Sequence, residues 1–217
     1  LCDAKIFVAQ FIAGQPQRKR WTVIRNPVEL KPLPPRPRGE VLNVGMVGSI
    51  SRTKNQAFAV SVADELRKSG RPFRLQVFGD ALDQDYCGAV MAKIAELGLD
   101  RHVALRGFVP IDDALREIDV LLSCSIYESF GLATVEALSA GIPVVASDIE
   151  GHRELASTLD TPALVGSTNQ FNDGHVLGQR GQDVLAGLGL VLRPFNDQPL
   201  QRAQSRLAGI AACIVPG

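Results

Sequence analysis

The chain has 217 residues, 23 acidic and 23 basic side chains, and a hydrophobic fraction of 46%. This is the composition of an ordinary globular protein, and zero net charge argues against a nucleic-acid partner. No apolar run reaches the roughly 20 residues that a membrane-spanning helix requires. The four cysteines form no CxxC pair and no metal-site spacing, so we expect reduced thiols in a cytoplasmic protein.

A proline-rich segment at residues 32–39 separates the first part of the chain from the rest. Closely spaced prolines prevent both a helix and a central strand, so we expect a stiff, extended linker. Residues 1–30 before it contain two apolar clusters and a basic tract. We therefore predict a domain boundary near residue 39.

From residue 40 onwards, short apolar runs alternate with segments of helical periodicity. This alternation is typical of an α/β fold in which a parallel sheet carries helices on both faces. The pattern weakens near residue 158, and we assign no regular structure to residues 160–183. We predict strands at residues 41–47, 73–78, 102–105, 119–123 and 143–146, and helices at residues 56–68, 86–97, 111–117, 131–140 and from residue 151.

Polar and glycine-rich residues lie where the predicted strands end. In parallel α/β folds, ligands bind beyond the carboxyl ends of the strands. The sequence therefore predicts a ligand site at that edge of the sheet. The strand ends are residues 48–54, 79–83, 106–110, 123–131 and 147–152.

The segment YESFGLATVEAL, residues 127–138, contains two acids, and Glu136 is the only charged residue between Glu128 and Asp148. A buried carboxylate without a partner is costly, so Glu136 needs donors from the fold or from a ligand. A ribose offers two vicinal hydroxyls, and the first amides of a helix bind phosphate. From the residues alone, a capping acid at 128 and a surface acid at 136 are an equal alternative.

These motifs, in this order, resemble the retaining GT-B glycosyltransferases of family 4 (glycosyl transferases group 1). The similarity covers residues 41–154 and includes Glu128-x7-Glu136 and the glycine-then-lysine loop VGSISRTKNQ. In that family the matching region is the carboxy-terminal Rossmann-like domain, which holds a nucleotide sugar. A separate amino-terminal domain holds the acceptor.

The resemblance implies three segments in this chain. Residues 1–39 would be the last piece of an otherwise missing acceptor domain, followed by the linker. Residues 40–157 would form the nucleotide-sugar-binding domain. Residues 158–217 would be a divergent, partly irregular carboxy-terminal segment.

The resemblance also implies a role for each matching residue. Glu136 is expected to bind the ribose hydroxyls, and Glu128 to contact the donor sugar and stabilise charge near the anomeric carbon. Lys54 is expected to neutralise the leaving diphosphate, which makes Lys54 and Glu128 the catalytic pair. The other residues implied in donor binding are Gly48, Ser49, Arg52, Gly107, Phe108, Val109, Phe130, Gly131 and Leu132.

Within that set, the backbone of residues 107–109 is expected to lie against the base. The amides of residues 130–132 are expected to face the sugar and the diphosphate.

One position departs from the family pattern. The family has Arg directly after the glycine of the loop, where this chain has Ser49, with Arg52 three residues later. A guanidinium reaches far and binds phosphate through two hydrogen bonds, so we expect Arg52 to substitute; otherwise the phosphate site is weakened. A solvated turn is the alternative for Arg52 and Lys54, and we expect the Ser51 hydroxyl to cap the next helix.

Three further polar residues follow predicted strands. We expect Asp80 and Asp83, after the second strand, to cap helices rather than to bind a ligand. His152 follows the fifth strand, and the sequence leaves it open between a residue of the site and an ordinary helix-start residue.

The implied reaction is retaining glycosyl transfer from a UDP- or GDP-type sugar to a hydroxyl of a saccharide, lipid or other acceptor. No cofactor or metal ion is expected, because Lys54 and helix amides take the charge. The alternatives are a nucleotide-binding remnant without catalysis and a nucleotide-sugar 2-epimerase. The basic residues 18–20 give a weak reason to expect peripheral association with the inner face of a membrane.

Overall fold

The computed structural model describes residues 5–13, 21–29, 33–34, 39–159 and 164–167. Its main body is a parallel sheet with helices on both faces, as the sequence predicts. The strands are β1 Lys5–Phe7, β2 Trp21–Val23, β3 Leu42–Val47, β4 Phe73–Phe78, β5 Val103–Gly107, β6 Val120–Ser123, β7 Val144–Ser147 and β8 Leu164–Ser167. The helices are α1 Gln10–Ala13, α2 Gln56–Lys68, α3 Gln84–Glu96, α4 Ile111–Glu117, α5 Leu132–Ser139 and α6 Glu150–Leu159.

Six strands form the main sheet, in the order β5-β4-β3-β6-β7-β8, and every neighbouring pair is parallel. The chain runs outward from β3 to β5, returns to the other side of β3 as β6, and runs outward again to β8. The direction of winding therefore reverses between β3 and β6. In open α/β sheets the crevice at such a reversal, beyond the carboxyl ends of the strands, is where ligands bind.

The core lies in two layers, one on each face of the sheet. Val44 and Met46 of β3, with Val120 and Leu122 of β6, pack in the layer under α2 and α3. The neighbouring Leu121 packs in the opposite layer, under α4, α5 and α6. Because both faces are covered, the central strands β3, β6 and β7 are mostly apolar, with the sequences LNVGMV, VLLS and VVAS.

The sequence predicts five of the six strands of this sheet. The sixth, β8, pairs with β7 in register from Val144↔Leu164 to Ser147↔Ser167. It lies within residues 160–183, where the sequence predicts no regular element. Its four residues are too few to show a period, and the turn-forming residues around it obscure the pattern.

The predicted cap of α2 is wrong. The helix begins at Gln56 after Asn55, which has a left-handed backbone (φ 57°) and makes no side-chain cap. Ser51 therefore lies too early in the chain to cap it. The Ala57 amide instead donates to the Tyr86 hydroxyl oxygen of α3, at 3.0 Å.

The first part of the chain packs against the last described helix. β1 and β2 form a small parallel sheet of their own. Glu154 of α6 accepts a hydrogen bond from the Gln10 amide at 2.9 Å and from Arg25 Nη2 at 3.4 Å.

Parts of the predicted segments lie outside the described residues. Of the proline-rich linker, only residues 33, 34 and 39 are described, and of residues 158–217 only 158–159 and 164–167. The three-segment division therefore stays a prediction. Cys87 and Cys124 are free thiols, as expected, and the other two cysteines are outside these ranges.

Candidate functional site

Two loops meet at the carboxyl edge of the sheet, where its winding reverses. We call them the Lys54 loop (residues 48–55, after β3) and the Glu128 loop (residues 124–131, after β6). The Ile126 amide donates to the Thr53 carbonyl oxygen at 2.9 Å and fastens one loop to the other. Across this junction, Lys54 Nζ lies 2.5 Å from Glu128 Oε2.

The Lys54–Glu128 pair is largely withdrawn from solvent, with side-chain exposures of 28% and 14%. Burial alone would raise the pKa of Glu128. The hydrogen bond and charge of Lys54, with a hydrogen bond from the Gly131 amide, hold that pKa below its usual value instead. Glu128 is therefore a carboxylate at neutral pH, and the pair is an ion pair.

Gly131 connects the Glu128 loop to α5. It stands at the N-cap position with a φ of 79°, a left-handed conformation that favours glycine. This turn sends the Gly131 amide back to Glu128 and starts α5 at Leu132, beside the same crevice. Lys54, Glu128 and Gly131, which the sequence predicts to share a site, line this one crevice.

Two buried polar side chains support these loops. Nothing in the sequence marks the first, Gln56, and the sequence leaves the second, His152, open between a residue of the site and a helix-start residue. Gln56 is fully buried; its Oε1 accepts from the Ser51 amide at 3.2 Å, and its Nε2 donates to the Ser49 carbonyl at 2.9 Å. Because glutamine is common in helices, the sequence does not mark Gln56 as unusual. Its role is visible only from its hydrogen bonds to the loop in the folded structure. The second side chain, His152, lies behind the Glu128 loop and is 3% exposed.

The hydrogen bonds of His152 define its state. Nδ1 lies 2.8 Å from the Ser147 carbonyl oxygen, which can only accept, so Nδ1 carries the proton. Nε2, 3.3 Å from Ser123 Oγ, then accepts from that hydroxyl. Burial lowers the pKa of His152, which keeps the ring neutral. His152 is therefore a buried neighbour of the site and does not line its solvent-facing surface.

Arg52 lies apart from the ion pair. Its side chain is 72% exposed, with Nε 3.4 Å from Asp83 Oδ2 and the guanidinium 5.5 Å from the centre of the Tyr86 ring. Asp83 is the N-cap of α3 and accepts from the Tyr86 amide at 2.8 Å, which confirms it as a capping residue. The phosphate-binding role of Arg52 stays a prediction.

Glu136 opens into a different pocket, between α4 and α5, with a volume of about 140 Å³. Two other carboxylates, Glu29 and Asp112, line it, and no basic side chain does so among the described residues. Carboxylate oxygens accept hydrogen bonds, so these side chains can bind hydroxyl and N–H donors. The lining residues are Glu29, Leu33, Ile111, Asp112, Leu115, Glu136, Ser139 and Ala140.

The remaining predicted residues surround these two features. The loop after β5 leads directly into α4 beside the Glu136 pocket, with Phe108 73% exposed and Val109 packed on the core. Phe130 packs on that core layer too, whereas Leu132 is 43% exposed. Gly48 lies against the Lys54 side chain, whose Cε would be 3.4 Å from a Cβ placed there.

Two properties of the described residues bear on other kinds of site. No helix in the described ranges has both the length and the apolar character needed to cross a membrane. Within the same ranges, no three His, Cys, Asp or Glu side chains are grouped to hold a metal ion.

The chain is similar in sequence to known glycosyltransferases. Residues 35–172, more than half of the chain, match the family described as "Glycosyl transferases group 1". A 2-deoxystreptamine glucosyltransferase of Streptomyces kanamyceticus is 34% identical over 130 residues, covering 58% of this chain and 33% of that protein. A lipopolysaccharide 1,6-galactosyltransferase of Salmonella typhimurium is 28% identical over 183 residues, covering 76% and 49%. The chain thus spans a third to a half of these relatives.

Solved structures share the fold. Anabaena HepE, solved with UDP and glucose, superposes with a TM-score of 0.76 at 21% identity, covering 98% of this chain and 59% of that one. Staphylococcus aureus TarM, solved in a complex that includes UDP, gives a TM-score of 0.70 at 22% identity, covering 95% and 40%. Together with the family match, this shows that the chain belongs to the glycosyl transferases group 1 and that its Rossmann-like sheet matches part of their GT-B fold.

Proposed function

We propose that this chain is the donor-binding half of a retaining glycosyltransferase, which moves a sugar from a nucleotide diphosphate to an acceptor hydroxyl. The observation that carries the proposal is the Lys54–Glu128 ion pair, 2.5 Å long, at the point where the sheet reverses. Family membership supplies the reaction class.

The pair suits the charges that develop in glycosyl transfer. As the anomeric bond breaks, negative charge grows on the leaving diphosphate and positive charge on the anomeric carbon. The Lys54 ammonium has three donors and uses one on Glu128, so others are available to a phosphate oxygen. Glu128 offers negative charge for the anomeric carbon, and the acceptor hydroxyl adds on the face that the diphosphate leaves.

In the absence of a donor the two side chains neutralise each other. A carboxylate that is 14% exposed would otherwise be desolvated without compensation. The donor therefore enters a site whose charges are already in place, and only the partners of Lys54 change. Fixed charges that need little reorganisation are the most effective form of electrostatic catalysis.

The nucleoside is proposed to lie in the pocket between α4 and α5. Glu136 would accept hydrogen bonds from the ribose hydroxyls, and residues 107–109 would contact the base. Uridine is our first choice because HepE and TarM were each solved with UDP. GDP is the second choice.

The other parts of the proposal concern the rest of the enzyme. The acceptor, a saccharide, lipid or other hydroxyl compound, would be held by an amino-terminal domain. Transfer would need no cofactor or metal ion, so it should persist in a chelator. We expect the protein to be cytoplasmic and to associate peripherally with the inner face of the membrane.

Calorimetry and thermal melting with UDP, GDP, ADP and UMP test the donor site. A nucleotide at about 100 times its Kd should stabilise the fold by about 2.7 kcal/mol. Glu136→Gln should weaken UDP binding by about tenfold, because a carboxylate hydrogen bond is lost. Glu96→Gln, an exposed acid on α3, is the matched control. Equal UDP affinity in both variants would refute the role of Glu136.

The competing function is nucleotide binding without transfer. It would follow if Ser49, which stands where the family has Arg, weakened the phosphate site that transfer needs. Incubation with UDP-sugars and a panel of saccharide acceptors distinguishes the two functions. Sugar transfer by this chain would refute nucleotide binding without catalysis. The 2-epimerase alternative would show epimerised UDP-N-acetylglucosamine in the same assay without any acceptor.

A further inference from the structure

The most deeply buried polar side chain near the site belongs to Gln56, which is 0% exposed. It is the first residue of α2, and its side chain folds back over the loop that precedes the helix. Nε2 donates to the Ser49 carbonyl at 2.9 Å, and Oε1 accepts from the Ser51 amide at 3.2 Å. One amide group thus joins two points of the Lys54 loop.

The points that Gln56 holds determine where Lys54 stands. The Ser51 carbonyl accepts from the Lys54 amide at 3.0 Å and from the Asn55 amide at 3.1 Å, which closes a tight turn. Asn55 then reverses the backbone with its left-handed φ of 57°. Lys54 therefore projects from a turn whose first residue, Ser51, is fixed by Gln56.

We propose that Gln56 is a positioning residue, whose amide holds the Lys54 loop so that Lys54 reaches Glu128 and, on the function proposed above, the diphosphate of the donor. The side chain must both donate and accept, because one end faces a carbonyl and the other an N–H. Of the side chains of this length, only glutamine offers both in one planar group.

The chain contains a matched control. Gln76 of β4 is also buried, at 9% exposure, and accepts a hydrogen bond from Arg106. Gln76→Met removes a buried amide elsewhere in the fold, whereas Gln56→Met removes the one at the Lys54 loop. Both replacements keep an unbranched side chain of similar length, so the loss of packing is comparable.

The first measurement needs no ligand: the pKa of Glu128, followed by carboxyl NMR. Lys54 lowers that pKa, so a displaced Lys54 should let it rise. The second is the ratio of UDP to uridine affinity, because only UDP carries the diphosphate. We expect Gln56→Met to raise the Glu128 pKa and to weaken UDP about tenfold with uridine unchanged. Gln76→Met should alter neither.

An unchanged Glu128 pKa and an unchanged UDP-to-uridine ratio in folded Gln56→Met would overturn the proposal. Failure of the wild-type chain to bind UDP would overturn the proposed donor site instead, and the Glu128 titration would still decide the role of Gln56. If Gln56→Met does not fold, Gln56→Asn, whose amide is one methylene short of both partners, is judged by the same two criteria.

Discussion

A Cβ atom at Gly151 would stand 2.0 Å from the backbone carbonyl oxygen of Glu128. The first turn of α6 therefore touches the Glu128 loop directly, backbone to backbone. Gly151→Ala must push the helix and the loop apart, and we expect it to destabilise the fold by about 1–3 kcal/mol. Denaturant unfolding measures this loss, and UDP affinity should fall with it because Glu128 moves.

Gly88 provides the control for that substitution. It is a helical glycine of α3, and a Cβ there would meet nothing within 4 Å. Gly88→Ala should stabilise the protein by about 0.4–1 kcal/mol, since it restricts the unfolded chain without a clash. If Gly151→Ala proved as stable as Gly88→Ala, the close contact with Glu128 would be wrong.

Lys54→Met should reverse the shift in the Glu128 pKa. With the ammonium gone, burial, which is the largest single influence on this group, should outweigh the remaining Gly131 hydrogen bond and raise that pKa above the ordinary 4.5. In the wild type the lowered pKa stabilises the fold above pH 4.5, and that contribution is lost as pH falls through the folded-state pKa. In the variant the folded-state pKa of Glu128 should lie above 4.5 instead of below it. Stability should therefore fall as pH rises from 4.5 through that raised pKa.

Unfolding experiments between acidic and neutral pH test this reversal. At neutral pH we expect Lys54→Met to lower the free energy of unfolding by about 1–3 kcal/mol. Lys68→Met is the control, since Lys68 is also ion-paired, to Asp64 at 2.7 Å, but is 54% exposed. Its removal should change stability little. If the two substitutions changed stability equally, the partial burial of the Lys54–Glu128 pair would have no energetic effect, contrary to the prediction.

His152 should make the protein less stable in mild acid. Burial holds its pKa below the usual 6.5; Glu128 acts against this shift and Lys54 acts with it. As pH falls below 6.5, the unfolded chain binds a proton that the folded ring resists, so the free energy of unfolding falls. His152→Asn keeps a donor for the Ser147 carbonyl and should remove this dependence.

Stability curves from pH 7 to pH 5 measure the effect, and His102→Asn is the comparison. His102 stacks on Phe73, with ring centroids 5.0 Å apart, at the other end of the sheet. That variant tests whether the loss of any histidine ring, wherever it lies, changes the slope. A wild-type slope in His152→Asn would mean that another group causes the acid sensitivity.

Tyr86→Phe should weaken the start of α2. The Tyr86 hydroxyl oxygen accepts from the Ala57 amide at 3.0 Å, at a helix start where Asn55 provides no side-chain cap. Phenylalanine keeps the packing but leaves that amide without its acceptor, at a cost of about 1 kcal/mol. The shift of the urea midpoint measures it, and hydrogen exchange at residue 57 should accelerate. An unchanged exchange rate there would disprove the cap.

The elements that the sequence predicts best are those with a local signal. Phe73–Phe78 and Ile111–Glu117 have the predicted bounds. Alternating apolar residues followed by Gly79 mark the strand, and Pro110 directly before the first helical residue marks the helix. That residues 48–54 and 123–131 lie at one edge of the sheet follows from the sequence, since strand ends of a parallel sheet share one edge. The shared role of Lys54 and Glu128 is implied by the family resemblance, and the pairing of β3 with β6 that brings them into contact is seen only in the structure.

The rest depends on contacts between distant residues. Tyr86 and Ala57 are 29 positions apart, and nothing in either segment marks the tyrosine as a cap. The two hydrogen bonds of Gln56 to Ser49 and Ser51 exist only when the loop is folded, so the sequence alone does not reveal them. Glu136 has its own pocket, separate from the crevice of Lys54, because it lies on the side of α5 that faces α4. The periodicity of apolar residues predicts which face of a helix or strand is buried, but not which neighbouring element packs against that face.

The contact of Glu154 with Gln10 and Arg25 has a consequence for how the chain folds. These two hydrogen bonds close loops of 144 and 129 residues. Closing loops of that length costs entropy that only later contacts repay, and all-parallel sheets have high contact order in any case. During synthesis Gln10 and Arg25 leave the ribosome long before α6 exists, so they meet this partner only after the 144 and 129 residues that separate them from Glu154 have been made.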